Sequence, residues 1–176
     1  TLSLHDALPI SARLIESMPN RGQDALVALF EMGAVATSMQ VIRNGETLYE
    51  RDQAFGGAQL TQMIARQYGF SVDEAELKKR NSDLPADYAQ TVLRPFSLSM
   101  AQEIARALQF FFTSTPYNRI DHIMLAGGSA ALPGLMQDIT DQTTFACSVA
   151  NPFDGMEMGG GDKTSKMMRE VPSYLT

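Results

Sequence analysis

The sequence predicts an α/β fold, a single lobe on a mixed five-stranded sheet with a helical insertion. Three observations predict it. Near the start, two strand-like stretches flank an Asn-Gly turn. In the middle runs a long apolar stripe at helical spacing. Towards the end, helix, strand, helix and strand alternate. Hairpins followed by crossovers make a sheet with both antiparallel and parallel neighbours and helices on its faces.

The first strand spans Asp24 to Met32 and breaks at Gly33; a second, Thr37 to Arg43, returns beside it. Asn44–Gly45 is a hairpin signal because both residues tolerate φ > 0, and Glu46 to Ala54 forms the third strand. After "FGG" the period changes. Leu60, Met63, Ile64 and Tyr68 fall on one helical face. "SVDE" (Ser71–Glu74) is a capping box opening a helix that runs to Arg80. "NSDLPAD" is a loop. A helical pattern then runs from Asp87 to Thr113, its stripe being Val92, Phe96, Met100, Ile104, Leu108 and Phe111, with Pro95 kinking or dividing it. Arg119 to Ala126 is the fourth strand, "LPGLMQDITDQ" a helix with Pro133 near its first turn, and "FACSVA" the fifth strand. This is the element order of the ribonuclease H-like fold.

A chain of 176 residues is enough for one domain, burying about 70% of its unfolded surface. Its 44% hydrophobic and 19% charged residues are ordinary for a globular protein. No apolar run approaches the ~18 residues of a membrane span, so no direct membrane insertion is expected. The only cysteine, Cys147, rules out a disulfide framework and suits a reducing cytoplasm. His5 and His122 with that one cysteine make no zinc site. A net charge of −6 without a basic patch speaks against nucleic acid as a partner. "TLSLHDALPIS" (Thr1–Ser11) fits neither periodicity nor a signal peptide, and resembles translated adaptor sequence. The expected organisation is an appended non-native segment at 1–11, the lobe at 12–153 with its insertion at about 55–86, and a flexible, truncated tail at 154–176.

Two stretches carry chemistry. In "LFEMGAVATSMQV" an apolar strand ends on Glu31, just before a glycine. Buried carboxylates are costly unless paired or metal-bound, so the acid is either solvated at the strand end or aimed at a ligand. Gly33 and Ala34, with Thr37, offer backbone N–H and hydroxyl groups to a phosphate. Glu31 then stands where a Mg²⁺ held through water needs one carboxylate. The plainer reading is a hairpin with a solvated acid. In "IMLAGGSAALPGL" a strand runs into Gly127–Gly128–Ser129 before a helix; paired glycines there allow close backbone approach at the ligand-binding end of an α/β sheet, or make a plain tight turn. Glu76 and Lys79 lie three apart on one helical face, as an exposed ion pair would. Glu103 and Arg106 read as solvated face, and His122 as a satisfied core histidine. "GMEMGGGDKTS" fails as a phosphate loop because Asp162 separates Gly161 from Lys163; its methionines (Met156, Met158, Met167, Met168) make a soft contact surface or a floppy linker.

Six blocks in order resemble the PilM family, cytoplasmic actin-like ATPases of type IV pilus assembly related to the division protein FtsA. The blocks are "LFEMGAVATSMQVIRNGETLYERDQAFGGAQLT", "DEAELKKR", "LPADYAQTVLRPF", "ARALQFFF", "HIMLAGGSAALPGL" and "VANPFDGM". They look like the C-terminal half of a member. The resemblance implies that Glu31, Gly33 and Thr37 face the γ-phosphate and magnesium of ATP, that Glu76 and Lys79 touch ribose and base, and that Gly127, Gly128 and Ser129 form the adenosine motif. It implies binding of the PilN cytoplasmic tail through the other lobe, and hence a cytoplasmic location at the inner-membrane pilus platform. Family members commonly carry Asp where this chain has Glu31. The extra methylene moves the carboxylate by ~1.5 Å, so nucleotide binding is a firmer expectation than turnover. Without the other half, whose first phosphate motif completes the cleft, the chain is expected to be inactive alone. The alternatives are a non-catalytic scaffold or one-lobed interaction module and, further off, a small-molecule kinase or a ribonuclease H-like nuclease, which would need several carboxylates on two metals.

Overall fold

The computed structural model describes residues 24–150. What the sequence predicts for residues 1–23 and 151–176, including the appended segment, the truncated tail and its methionines, lies outside the described residues.

Five strands form one sheet in the order β3-β2-β1-β4-β5. β1 (Leu26–Met32) pairs antiparallel with β2 (Thr37–Arg43), and β2 with β3 (Glu46–Gln53). Asn44 and Gly45 take φ 53° and 81°, the two positive values that a two-residue hairpin with a right-handed strand twist demands. The register between β2 and β3 shifts between Val41 and Ile42, which leaves Leu48 unmatched, as in a bulge. β4 (His122–Ala126) runs parallel to β1, and β5 (Cys147–Val149) parallel to β4.

β1 is central, so both its faces are buried. Leu26, Ala28, Phe30 and Met32 join the main core, while Val27 and Leu29 cluster with Ile42, Met124, Ala126 and Ala150 on the opposite face. That is the two-residue period of a strand. Among the described residues the α-helices, in chain order, are α1 (Gly57–Tyr68), α2 (Val72–Arg80), α3 (Arg94–Ser114) and α4 (Leu135–Thr143). α1 buries Leu60 and Ile64 and ends on Gly69 at φ 72°, a left-handed cap that glycine adopts without strain. In α2 one half of the predicted capping box is present: Glu74 N–H donates to Ser71 Oγ at 3.1 Å.

The long central pattern is helical without a break, and Pro95 stands where it changes type. A π-helical turn, Ala89–Leu93, closes with Arg94 N–H on Ala89 O, and α3 starts with Pro95 as its second residue. Proline cannot donate to the carbonyl four residues back, and the wider turn absorbs that loss. All six predicted stripe residues are buried in the core. Several boundaries differ from expectation: β1 starts at Leu26 rather than Asp24 and β5 is only Cys147–Val149, and two further differences have a local cause. Gly134 adopts φ 83°, so the last helix starts at Leu135 and Pro133 stands before it, not in its first turn. β4 starts at His122 rather than Arg119. Asp121 already folds back on β1: its N–H donates to Leu26 O at 2.8 Å, and its Oδ2 accepts Leu26 N–H at 2.8 Å.

α3 and α4 are joined by a buried polar contact. Asp138, 3% exposed, pairs with Arg94 and accepts Ser97 Oγ–H at 2.6 Å. A carboxylate at that depth needs such partners.

Candidate functional site

At the carboxyl ends of β1 and β4, three glycine-bearing segments meet. Glu31 is exposed at the end of β1, with Ser38 and Ala126 beside it in register. The chain then turns through Gly33–Ala36, closed by Gly33 N–H to Ala36 O at 2.9 Å. α1 starts against this turn: Gly57 N–H donates to Gly33 O at 3.0 Å and Ala58 N–H to Ala34 O at 2.7 Å. Two of the free donors at the helix N-terminus are thereby satisfied. The approach needs glycine, since a Cβ on Gly56 would stand 2.6 Å from both of those carbonyl oxygens. Thr37 is buried, and its hydroxyl donates to Phe55 O at 2.6 Å. Its proton therefore fixes the start of α1 to the hairpin.

The third segment is Gly127–Ser129. Gly127 takes φ 89°, and a Cβ there would lie 2.4 Å from Met32 O. Gly128 has open space beside it, with nothing within 4 Å of the point where a Cβ would stand. Ser129 is buried, and a Cβ on Gly57 would meet its Oγ at 3.1 Å. Among the described residues, the N–H groups of Ala34, Val35, Gly128 and Ser129 have no acceptor. Val35, at the tip of the turn, is 77% exposed. The turn itself, Gly33–Ala34–Val35–Ala36, carries no polar side chain, so what it offers an anion is backbone N–H.

Glu76 and Lys79 form a closed polar cluster on α2. Lys79 Nζ lies 2.7 Å from Glu76 Oε2, and Arg80 Nε 3.1 Å from Oε1. Thr61 of α1 completes it, accepting from Lys79 Nζ and donating to Glu76 Oε2, both at 2.7 Å. Hydrogen bonds from Lys79 first, and Thr61 second, hold the Glu76 carboxyl down at about 2. The cluster connects to the glycine segments through α1: Gly57 abuts Ser129, and Thr61, one turn later on the same side, holds Glu76.

Gly56, Gly57 and Thr61 are the residues that sequence reasoning passes over. A signal for Thr61 is present, because a threonine shares the buried stripe of α1 with Leu60, Ile64 and Ala65. Elsewhere, His122 is satisfied by Ser148 Oγ at 2.7 Å, and burial lowers its pKa. Arg106 and Glu103 pair at 2.6 Å with the arginine well exposed. The Cys147 thiol is pushed up to about 12 by burial, which makes it a poor nucleophile. At the opposite end of β1, Asp24, Arg43, Tyr117, Arg119 and Asp121 line a cleft of about 210 Å³.

A family model described as type IV pilus assembly protein PilM matches residues 5–176. The chain belongs to the PilM family. Among solved structures, it is similar to a chain of a PilM-PilN type IV pilus biogenesis complex, with 26% identity and a TM-score of 0.73, over 95% of this chain and 46% of that one. It also matches an archaeal actin homologue, with 15% identity and a TM-score of 0.62, over 85% and 50% of the two chains. That likeness concerns the fold, which is the actin-like variant of the ribonuclease H fold. Ethanolamine utilization protein EutJ of Salmonella typhimurium is 28% identical over 105 residues, 60% of this chain and 34% of its own length. The chain thus spans about a third of the curated relatives it matches and just under half of the pilus-complex chain. Among the described residues, no helix is long and apolar enough to cross a membrane.

Proposed function

We propose that this PilM-family lobe is the ATP-contacting part of a cytoplasmic component of the type IV pilus inner-membrane platform, and that the complete protein binds the PilN cytoplasmic tail. The observation that carries the reading is the convergence of Gly33–Ala34, Gly56–Gly57 and Gly127–Ser129 on one end of the sheet, where the backbone N–H groups of Ala34, Val35, Gly128 and Ser129 are among those without acceptors among the described residues. Oriented N–H groups at the carboxyl ends of strands suit a polyphosphate. The open space beside Gly128 suits close approach of a ligand.

In this reading, Ala34, Val35, Gly128 and Ser129 present their N–H groups to the phosphates and Gly33 lets the turn close. Thr37 holds the turn to Phe55, while Glu76 and Lys79 flank the nucleoside. Glu31 orients a magnesium ion through water. Mg²⁺ keeps several waters and is commonly held by substrate phosphates with one or two carboxylates, so the ion would arrive with the nucleotide and meet Glu31. Bound MgATP supplies the charge that these groups would meet.

The test is thermal unfolding of the protein in its complete reading frame with millimolar MgATP. A ligand at 100 times its Kd stabilises by about 2.7 kcal/mol, a shift of several degrees. No shift refutes ATP binding and leaves a scaffold or interaction module. Capture of the PilN tail by the same protein tests the partner.

A further inference from the structure

We propose that Thr61 is a positioning residue for the nucleoside end of this site, setting the Glu76–Lys79 pair relative to the glycine segments. The inference rests on the ATP-binding reading above. Thr61 is 3% exposed, and its hydroxyl is fully used: it accepts from Lys79 Nζ and donates to Glu76 Oε2, each at 2.7 Å. A hydroxyl can do both at once, which neither a methyl nor an ammonium group can. A buried hydroxyl serving only as a helix residue would ordinarily bond back to its own backbone. This one reaches a second helix and closes a three-membered ring with two opposite charges.

Its place on α1 gives that ring a reference point. Gly57 lies one turn earlier, against Ser129 Oγ and hydrogen-bonded to Gly33 O. The stretch from Gly57 to Thr61 therefore spans the phosphate end and the nucleoside end, four residues or about 6 Å along a rigid helix. Arg80 holds the second Glu76 oxygen from the solvent side. Removing the Thr61 hydroxyl would leave Glu76 and Lys79 paired with each other but no longer tied to α1. The depressed Glu76 carboxyl, whose second cause is Thr61, agrees with this geometry.

The experiment compares wild type, Thr61→Val and Thr61→Ser in the complete reading frame, titrated with MgATP and, separately, with magnesium tripolyphosphate, which lacks the nucleoside. Thermal midpoints without ligand are recorded first. The expected result is about tenfold weaker MgATP binding for Thr61→Val, because both hydrogen bonds that tie the Glu76–Lys79 pair to α1 are lost, unchanged tripolyphosphate binding, and recovery in Thr61→Ser. If Thr61→Val weakens both ligands equally, or neither, the role is purely structural and the proposal fails while ATP binding stands. If wild type binds neither ligand, the reading of the site falls and this role falls with it. Should Thr61→Val not fold, the Thr61→Ser and Thr61→Ala pair carries the same comparison.

Discussion

Replacing Gly127 by alanine probes the point where the glycine segment crosses the end of β1. At φ 89° the backbone sits where an L side chain is strained, at about 1–2 kcal/mol. The new Cβ would lie 2.4 Å from Met32 O, 2.9 Å from its carbonyl carbon and 3.0 Å from its nitrogen. None of these atoms can swing aside, because Met32 ends the central strand and pairs with Thr37. Overpacking of this kind costs about 1–3 kcal/mol. Together the terms predict about 3 kcal/mol lost, a large share of the 5–15 kcal/mol typical of a domain. With a urea dependence of about 2 kcal/mol per molar, the unfolding midpoint should fall by about 1.5 M. Gly128→Ala is the control. Nothing lies within 4 Å of its added carbon, so its midpoint should stay within about 0.25 M. Equal midpoints for Gly127→Ala and wild type would refute the close packing of the loop on β1.

Two further outcomes follow from the polar contacts. Glu76 titrates at about 2 in the folded chain against an ordinary 4.5, so its contribution is full above about pH 5 and is lost as pH falls towards 2; the stability gap between wild type and Glu76→Gln, read by urea unfolding, should shrink across that window and hold steady from pH 6 to 8. Asp138→Ala should cost about 2–3 kcal/mol by chemical denaturation, because it strands the buried Ser97 hydroxyl and breaks the α3–α4 tie. The exposed Arg94 guanidinium stays hydrated, which keeps the cost below that of a fully buried pair.

Much of the fold is legible in the sequence because its signals are local. The Asn44–Gly45 turn, the Ser71 cap and the stripe from Val92 to Phe111 each follow from residues within a few turns of one another. The boundaries at Leu135 and His122 are not, because they depend on the positive φ of Gly134 and on Asp121 reaching back to Leu26, 95 positions away. The same division runs through the candidate site. Gly33, Gly127 and Gly128 stand out as glycines at strand ends. Thr37 reads from sequence as a donor to ligand, yet its hydroxyl serves Phe55. The Glu76–Lys79 pair is visible as an i, i+3 spacing, whereas Thr61 joins it from another helix, where no spacing rule reaches.

The central claim is that the turn after β1 and the loop after β4 together face a nucleotide. It is tested most directly by following backbone amide resonances while MgATP, or a non-hydrolysable analogue, is titrated into the protein in its complete reading frame. The account predicts that the amides of Ala34, Val35, Gly128 and Ser129, which have no acceptor among the described residues, shift together with a single binding constant. Shifts confined to the cleft around Arg43, Tyr117 and Arg119, or no shifts at millimolar ligand, would contradict it.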